Sequence, residues 1–343
     1  MLHRWLVVPL AAAVLYGCAP ALASEAAVTY PAIPPPALAE PVPLSPSGER
    51  AARVRPVPPS GGPPGRVHGT GVDPELSVFA YIIAVNAGAR VVVGPLTRDS
   101  VAAVMGSAAE LGPTLALNVP DGLAAPLLDM YTFSLQVDAE ARQVAQLAWQ
   151  DGYRSAVTVS ADSTLSRRIL QGFVEEFTRL GGTHVGDQAF TSNPESLARM
   201  RKTLSTGADM AFLALDFSRA RQVRPYLGNQ AIYATSQVYP GNAGPLTAFD
   251  LAGVRFLDMP WVLQQESPEL AAYPRPGLAV ELERFYALGI DAYRLALMLL
   301  AGKAEAGLDG ATGRLMLGSD RQFACRLLAA QFSDGKLVVR ERP

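Results

Sequence analysis

Histidine and cysteine are nearly missing from this chain of 343 residues. His3, His68 and His184 are the only histidines, and the first two fall in stretches that read as unfolded. One remaining histidine is too few for a Ser-His-Asp or Cys-His arrangement alongside a His-rich metal site, which argues against histidine-dependent catalysis. Cys18 and Cys325 allow one disulfide at most. An excess of one charge is missing as well. With 29 Lys+Arg against 31 Asp+Glu the formal net charge is −2, so there is no basic footprint for a phosphate backbone and no nucleic-acid partner is expected. The motifs G-x-S-x-G, G-x-x-x-x-G-K-[ST], C-x-x-C and H-E-x-x-H do not occur, and Gly69-Thr70-Gly71 lacks the third glycine of a dinucleotide loop. The expectation is a chain without catalytic residues, metal or cofactor.

What is present begins with an apolar run, Trp5 to Leu15, behind the positive Arg4. It is shorter than the roughly 20 residues needed to cross a bilayer and has the form of a signal-peptide core. Leu15-Tyr16-Gly17-Cys18 resembles a bacterial lipobox, which makes residues 1–17 a signal peptide and Cys18 the lipidation site. Two or three acyl chains, at about 0.8 kcal/mol per buried methylene, form a lasting anchor. Ala19 behind the cysteine points to the periplasmic face of the outer membrane. Ordinary secretory cleavage after Ala21-Leu22-Ala23 is the rival reading. Between Ala19 and Asp73 stand 13 prolines in 55 residues, so residues 18–73 read as a disordered, Pro-rich tether. Fully extended, it would reach on the order of 170 Å.

With 49% hydrophobic residues the rest can bury a core, and the length suggests about two domain-sized units. From about Pro74 strand and helix signals alternate. Strands are predicted at Arg90–Leu96, Thr114–Asn118, Tyr131–Leu135, Ser155–Ser160, His184–Phe190, Asp209–Leu215 and Ala231–Ser236. Helices are predicted after Thr97 or Asp99, from Asp138 to Gln150, Ser163 to Leu180, Pro194 to Leu204, Ser218 to Leu227 and Leu278 to Leu300. Short antiparallel strands close the chain at Arg314–Leu317, Cys325–Phe332 and Lys336–Val339. Such alternation implies parallel sheets covered by helices on both faces, an α/β class.

Ligands in open α/β sheets bind beyond the carboxyl ends of the strands. Here those ends hold Thr97, Asn118, Ser160, Asp162, Asp216, Ser236 and Gln237, each also explicable as a turn or cap residue. Trp261 is either core or a cleft wall. The acidic pairs Asp138/Glu140 and Glu175-Glu176 fall on predicted helices and read as solvated faces.

Several segments resemble one family. Gly88-Ala89-Arg90-Val91-Val92-Val93-Gly94-Pro95-Leu96, Leu115-Ala116-Leu117-Asn118, Ala234-Thr235-Ser236-Gln237-Val238-Tyr239, Asp258-Met259-Pro260-Trp261 and Gly289-Ile290-Asp291-Ala292-Tyr293-Arg294-Leu295 are similar, in order from about Ser77 to Val339, to the LppC/LpoA family of penicillin-binding protein activators. The resemblance implies a two-lobed type I periplasmic-binding-protein fold at 74–343. Lobe 1 is then approximately 74–136 plus part of 235–300, and lobe 2 approximately 137–234 plus the C-terminal strands. It also implies a non-enzymatic outer-membrane lipoprotein that contacts a bifunctional penicillin-binding protein and stimulates peptidoglycan synthesis. The alternative from the same fold is a periplasmic lipoprotein binding an amino-acid-like small molecule. The chain departs from the family in two ways: no helical-repeat domain precedes this one, and the first strand–helix–strand unit of lobe 1 is not found. Lobe 1 is therefore expected to lack its first two strands and to expose a sheet edge, one that a partner strand could complete.

Overall fold

The computed structural model describes residues 4–7, 53–57, 65–107, 112–120, 129–204, 207–241, 245–268 and 270–340. Cys18 and most of the expected tether lie outside them. The chain divides into two compact units: Met1–Ser134 with Gly289–Gly307 and Met316–Ala324, and Leu135–Leu288 with Leu308–Leu315 and Cys325–Pro343.

The first unit is built on β1 (Arg4–Val7), β2 (Arg53–Val57), β3 (Gly65–Gly69), α1 (Pro74–Asn86), β4 (Ala89–Val93), α2 (Arg98–Gly106), β5 (Thr114–Ala116) and β6 (Met130–Thr132). The strands form one sheet in the order β2-β3-β1-β4-β5-β6. All neighbours are parallel except β2, which runs antiparallel to β3 at the edge. Pro56 sits in that edge strand, where a missing backbone donor is tolerated. Asp73 and Pro74 set the start of α1. Asp73 Oδ1 accepts the Glu75 and Leu76 amides at 2.9 and 3.3 Å, and Pro74 opens the first turn. Tyr81, Ala84, Val92, Val101, Val104, Ala116 and Met130 make the core between helices and sheet.

This sheet differs from the expectation of a lobe without its first strands. Arg4–Val7, read as part of a leader, pairs with β3 on one side and β4 on the other, and the Pro-rich stretch supplies β2 and β3. The physical reason is that a short apolar run of Trp, Leu and Val fits a buried parallel strand as well as a leader core, and periodicity does not separate the two.

The second unit contains α3 (Val137–Gln150), β7 (Ser155–Ser160), α4 (Thr164–Arg179), β8 (Thr183–Ala189), α5 (Pro194–Leu204), β9 (Met210–Ala214), α6 (Phe217–Val223), β10 (Ala231–Ala234), α7 (Pro245–Asp250), β11 (Val254–Asp258), α8 (Pro260–Leu263) and the first part of α9 (Val280–Leu300). After α9 come β12 (Leu308–Asp309), β13 (Arg314–Leu317), β14 (Phe323–Arg326), β15 (Leu328–Ser333) and β16 (Lys336–Arg340). The main sheet runs β16-β15-β11-β10-β9-β7-β8, parallel from β11 to β8, with the C-terminal hairpin antiparallel on β11. β12, β13 and β14 form a small separate sheet.

Of the stretch 235–300, part of which was expected in the first unit, residues 235–288 belong to this one, where β11 pairs directly with β10 and seats the C-terminal hairpin. α3 and α4 cover one face over Phe173, Phe177, Phe212 and Tyr233, with the Phe173 and Phe212 rings stacked 3.9 Å apart. They approach so closely that a Cβ on Gly172 would lie 2.7 Å from the Asp138 carbonyl oxygen. Asp138 is not the expected cap of α3. It lies in the first turn, where it takes Arg142 at 3.1 Å and Arg168 at 2.7 Å.

Candidate functional site

The strand ends of the first unit are occupied by local hydrogen bonding. Gly94, at φ 109°, joins Pro95 through a cis bond and turns the chain out of β4; that φ requires glycine. Thr97 then caps α2, accepting the Ser100 amide at 3.3 Å. Its hydroxyl lies 2.8 Å from Ser100 Oγ, which lies 3.0 Å from Ser77 Oγ on α1. Asn118 donates to the Leu96 carbonyl at 2.9 Å and accepts the Val119 amide at 3.0 Å. A small pocket beside this hydroxyl row is lined by Thr70, Ser77, Tyr81, Val92 and Gly94. His68 is 1% exposed in β3, and neither ring nitrogen has a hydrogen-bond partner. Desolvation, helped by Arg66, holds its imidazole below the ordinary histidine range.

In the second unit the predicted residues separate by chemistry. Ser160, at the end of β7, donates to Asp187 Oδ2 at 2.8 Å, and Thr158 Oγ1 lies 2.9 Å from the other carboxylate oxygen and 3.0 Å from His184 Nε2. His184 is thus half-buried and hydrogen-bonded. Asp162 is fully exposed and pairs with Arg167 at 2.8 Å. Asp216 caps α6 by accepting the Arg219 amide at 3.0 Å and pairs with the Arg219 guanidinium. Trp261 is core: it is fully buried, its Nε1 donates to Glu283 at 2.7 Å, and the Arg275 guanidinium lies 3.6 Å above its ring.

Ser236 is the exception. It opens a 3-10 turn, Ser236–Val238, just past β10, and every polar group it owns is held from within the unit. Its amide and hydroxyl both donate to the Glu140 carboxylate, the hydroxyl at 3.1 Å. Its carbonyl accepts Arg284 Nη2 at 3.1 Å. Arg284 also donates to Asp258 at 2.7 and 3.2 Å and to the Tyr239 carbonyl at 3.3 Å. Asp258 is 1% exposed and Arg284 8%. Four elements therefore meet here: the first turn of α3, the 3-10 turn, the end of β11 and α9. Desolvation pushes the Glu140 carboxyl up to about 7, and the Asp258 carboxylate adds to that, against the opposing Ser236 amide and Arg284. Burial also raises the Tyr239 hydroxyl. Gln237, next along the turn, is half-buried.

The structure thus sets Ser236 on a charged support, with Gln237 next along the turn, and leaves Ser160 and Asp162 at the end of β7 and Asp216 after β9. Glu140, read as part of a solvated helix face, is a core member of this cluster; Asp258 entered the sequence reading only within a resemblance segment, and Arg284 was missed altogether. A signal was there. Val280, Arg284, Ala287, Leu288 and Asp291 follow helical spacing, and all five are buried, so Arg284 sits on the apolar stripe of α9. Among the described residues there is no cluster of histidine, cysteine and carboxylate side chains fit to hold a metal ion, and no helix long and apolar enough to cross a membrane.

The family model described as LppC putative lipoprotein matches residues 66–206 and 195–335. The protein named penicillin-binding protein activator LpoA from Klebsiella pneumoniae is 25% identical over 314 residues, covering 80% of this chain and 44% of its own length. Its namesake from Pantoea ananatis is 27% identical over 323 residues, covering 80% and 47%. The chain therefore spans under half the length of these two relatives. Among solved structures, a putative branched-chain amino acid ABC transporter from Chromobacterium violaceum is 38% identical, with a TM-score of 0.67 over 78% of this chain and 88% of that one. The C-domain of LpoA from Haemophilus influenzae superposes with the same TM-score at 21% identity, over 82% and 91%. These matches place the two helix-flanked sheets in the type I periplasmic-binding-protein-like class.

Proposed function

Because this chain belongs to the LppC putative lipoprotein family, we propose that it is a non-enzymatic lipoprotein of the outer membrane that binds a bifunctional penicillin-binding protein and activates peptidoglycan synthesis. The observation that carries the reading is the family match, which runs across both units from residue 66 to residue 335, alongside relatives that bear the activator name. The polar groups at the strand ends fit a binding role: Thr97 and Asp216 cap helices, Asn118 closes a turn and Asp162 pairs with Arg167. Lipidation at Cys18 supplies the anchor, and the Pro-rich stretch behind it supplies the reach.

The test is capture of the host's bifunctional penicillin-binding proteins on the full chain, followed by glycan polymerisation and crosslinking assays with and without it. Saturable capture with a raised rate supports the activator reading; a folded chain that does neither overturns it. Cleavage before Cys18 would separate Arg4–Val7 from the rest, so the paired β1 and the lipidated terminus belong to different molecules. The intact mass of protein extracted from membranes decides between them. A mass beginning at a diacylated Cys18 supports the anchor, and a mass that includes Met1 or Leu2 removes it.

A second reading rests on the 38% identity to the Chromobacterium structure: a periplasmic lipoprotein that binds an amino-acid-like molecule. A rise in melting temperature with one metabolite, at ligand concentrations well above Kd, would favour it. A shift seen with the synthase alone favours the activator.

A further inference from the structure

The cluster around Ser236 holds one more carboxylate than it has cations. Arg284 is committed to Asp258 through two contacts, at 2.7 and 3.2 Å, and to the carbonyls of Ser236 and Tyr239. Glu140 has no such pairing, and its carboxylate accepts hydrogen bonds from the amide and hydroxyl of Ser236. A buried carboxylate whose partners are neutral donors is the member that takes up a proton. The groups packed against it are Ser236 on the 3-10 turn, Asp258 on β11 and Arg284 on α9, with Glu281 of α9 acting on Arg284 from farther off and Tyr239 following the turn.

We propose that Glu140 and Ser236 form a proton-operated latch that fixes the Ser236–Val238 turn, and with it Gln237, to the first turn of α3. With Glu140 ionised, both donors of Ser236 point at the carboxylate. With Glu140 protonated, one carboxyl oxygen still accepts the Ser236 amide, but the new O–H donates to Ser236 Oγ. The hydroxyl proton of Ser236 is then released to seek another acceptor. One hydrogen bond reverses, no heavy atom is lost, and the charged anchor of the turn becomes neutral. Beside it the hydroxyl of Thr235 is fully buried and has no partner, so the turn already holds an unfilled hydrogen-bonding position. The raised carboxyl range of Glu140 puts the exchange near neutral pH, where modest acidification moves the population.

The test is an NMR titration of the full chain, following side-chain carboxyl carbons and backbone amides from about pH 5 to 9. The expected result is one glutamate titrating with a midpoint near 7, with the amides of Ser236, Gln237 and Val238 moving on the same midpoint. Glu140→Gln, which keeps an acceptor oxygen and a donor nitrogen, should freeze those amides across the range. Ser236→Ala keeps the amide but removes the hydroxyl that stabilises the ionised form, so the glutamate midpoint should move upward. Amides of the turn that stay flat in the unaltered chain overturn the proposal. So does a Ser236→Ala midpoint that does not move, which settles the matter even if Glu140→Gln fails to fold.

Discussion

Each unit buries a titratable group against its parallel sheet, and the two are handled in opposite ways. In the first, His68 lies on β3 with both ring nitrogens unpartnered. In the second, Glu140 is held by Ser236 within a set that includes Asp258 and Arg284. Burial disfavours the charged form of each, but one is a base and the other an acid, so the consequences for stability have opposite sign. His68 has a depressed folded value: its contribution is complete above 6.5 and is lost as pH falls through 6.5 towards the folded value. Glu140 has a raised folded value: its contribution is complete below 4.5 and is lost as pH rises from 4.5 to about 7. The first unit is thus weakened by acid and the second by neutralisation of acid, and the chain keeps both contributions only in part at any pH between.

The largest effect should come from breaking the charged set. Arg284→Ala leaves Asp258 buried without its cation and the carbonyls of Ser236 and Tyr239 without their donor. It should cost about 3–5 kcal/mol in urea unfolding followed by tryptophan fluorescence, to which Trp149 and Trp261 of this unit contribute. A loss below about 1 kcal/mol would show that the cluster is far wetter than its burial implies. Next comes Glu140→Gln. The unaltered chain should lose on the order of 3 kcal/mol between pH 4.5 and 7 through this group, and the variant should not. Parallel unfolding curves for the two proteins across that interval would remove Glu140 from the comparison.

The second unit was also the more legible in sequence, for a physical reason. Ser155–Ser160, Pro194–Leu204 and Arg314–Leu317 lie where their patterns put them, because β-branched runs, capping residues and glycine stops agree there. Ser163, expected to open the long helix, does cap it, accepting the Ser166 amide at 3.1 Å. β11 escaped notice because Val-Arg-Phe-Leu-Asp is short and its arginine breaks the apolar run; what fixes it is pairing with β10 on one side and with β15, far along the chain, on the other. The strands before α1 escaped for the same kind of reason. Arg53–Val57 carries a proline, and Gly65–Gly69 is bounded by glycines, so local signals oppose what the sheet imposes. The candidate site followed this division. Strand-end hydroxyls can be found by position, but the charges beneath them are visible only once α3, β11 and α9 have converged.

Packing offers a test that does not involve charge. Gly172→Ala should improve the intrinsic helix propensity of α4 by up to about 1 kcal/mol, yet its Cβ would meet the backbone of Asp138 at 2.7 Å. Backbone has little room to move in a close helix pair, so the clash should win, with a net loss of roughly 1–3 kcal/mol in the same urea experiment. A neutral or stabilising result would mean that α3 and α4 slide apart readily.

The smallest effect should come from His68→Phe, and it sharpens the comparison most. A ring of similar shape replaces two unpaired buried nitrogens, so near pH 7.5 the variant should be more stable by about 1 kcal/mol, the relief of an unsatisfied polar group. Below 6.5 the gap should widen, because the unfolded chain with His68 takes up a proton that the folded chain resists, whereas the variant has none to take up. Thermal melts of both proteins at about pH 7.5 and pH 5 read the two differences directly. If the gap narrows on acidification, the histidine gains a partner when charged, and the first unit would handle its buried group much as the second handles Glu140.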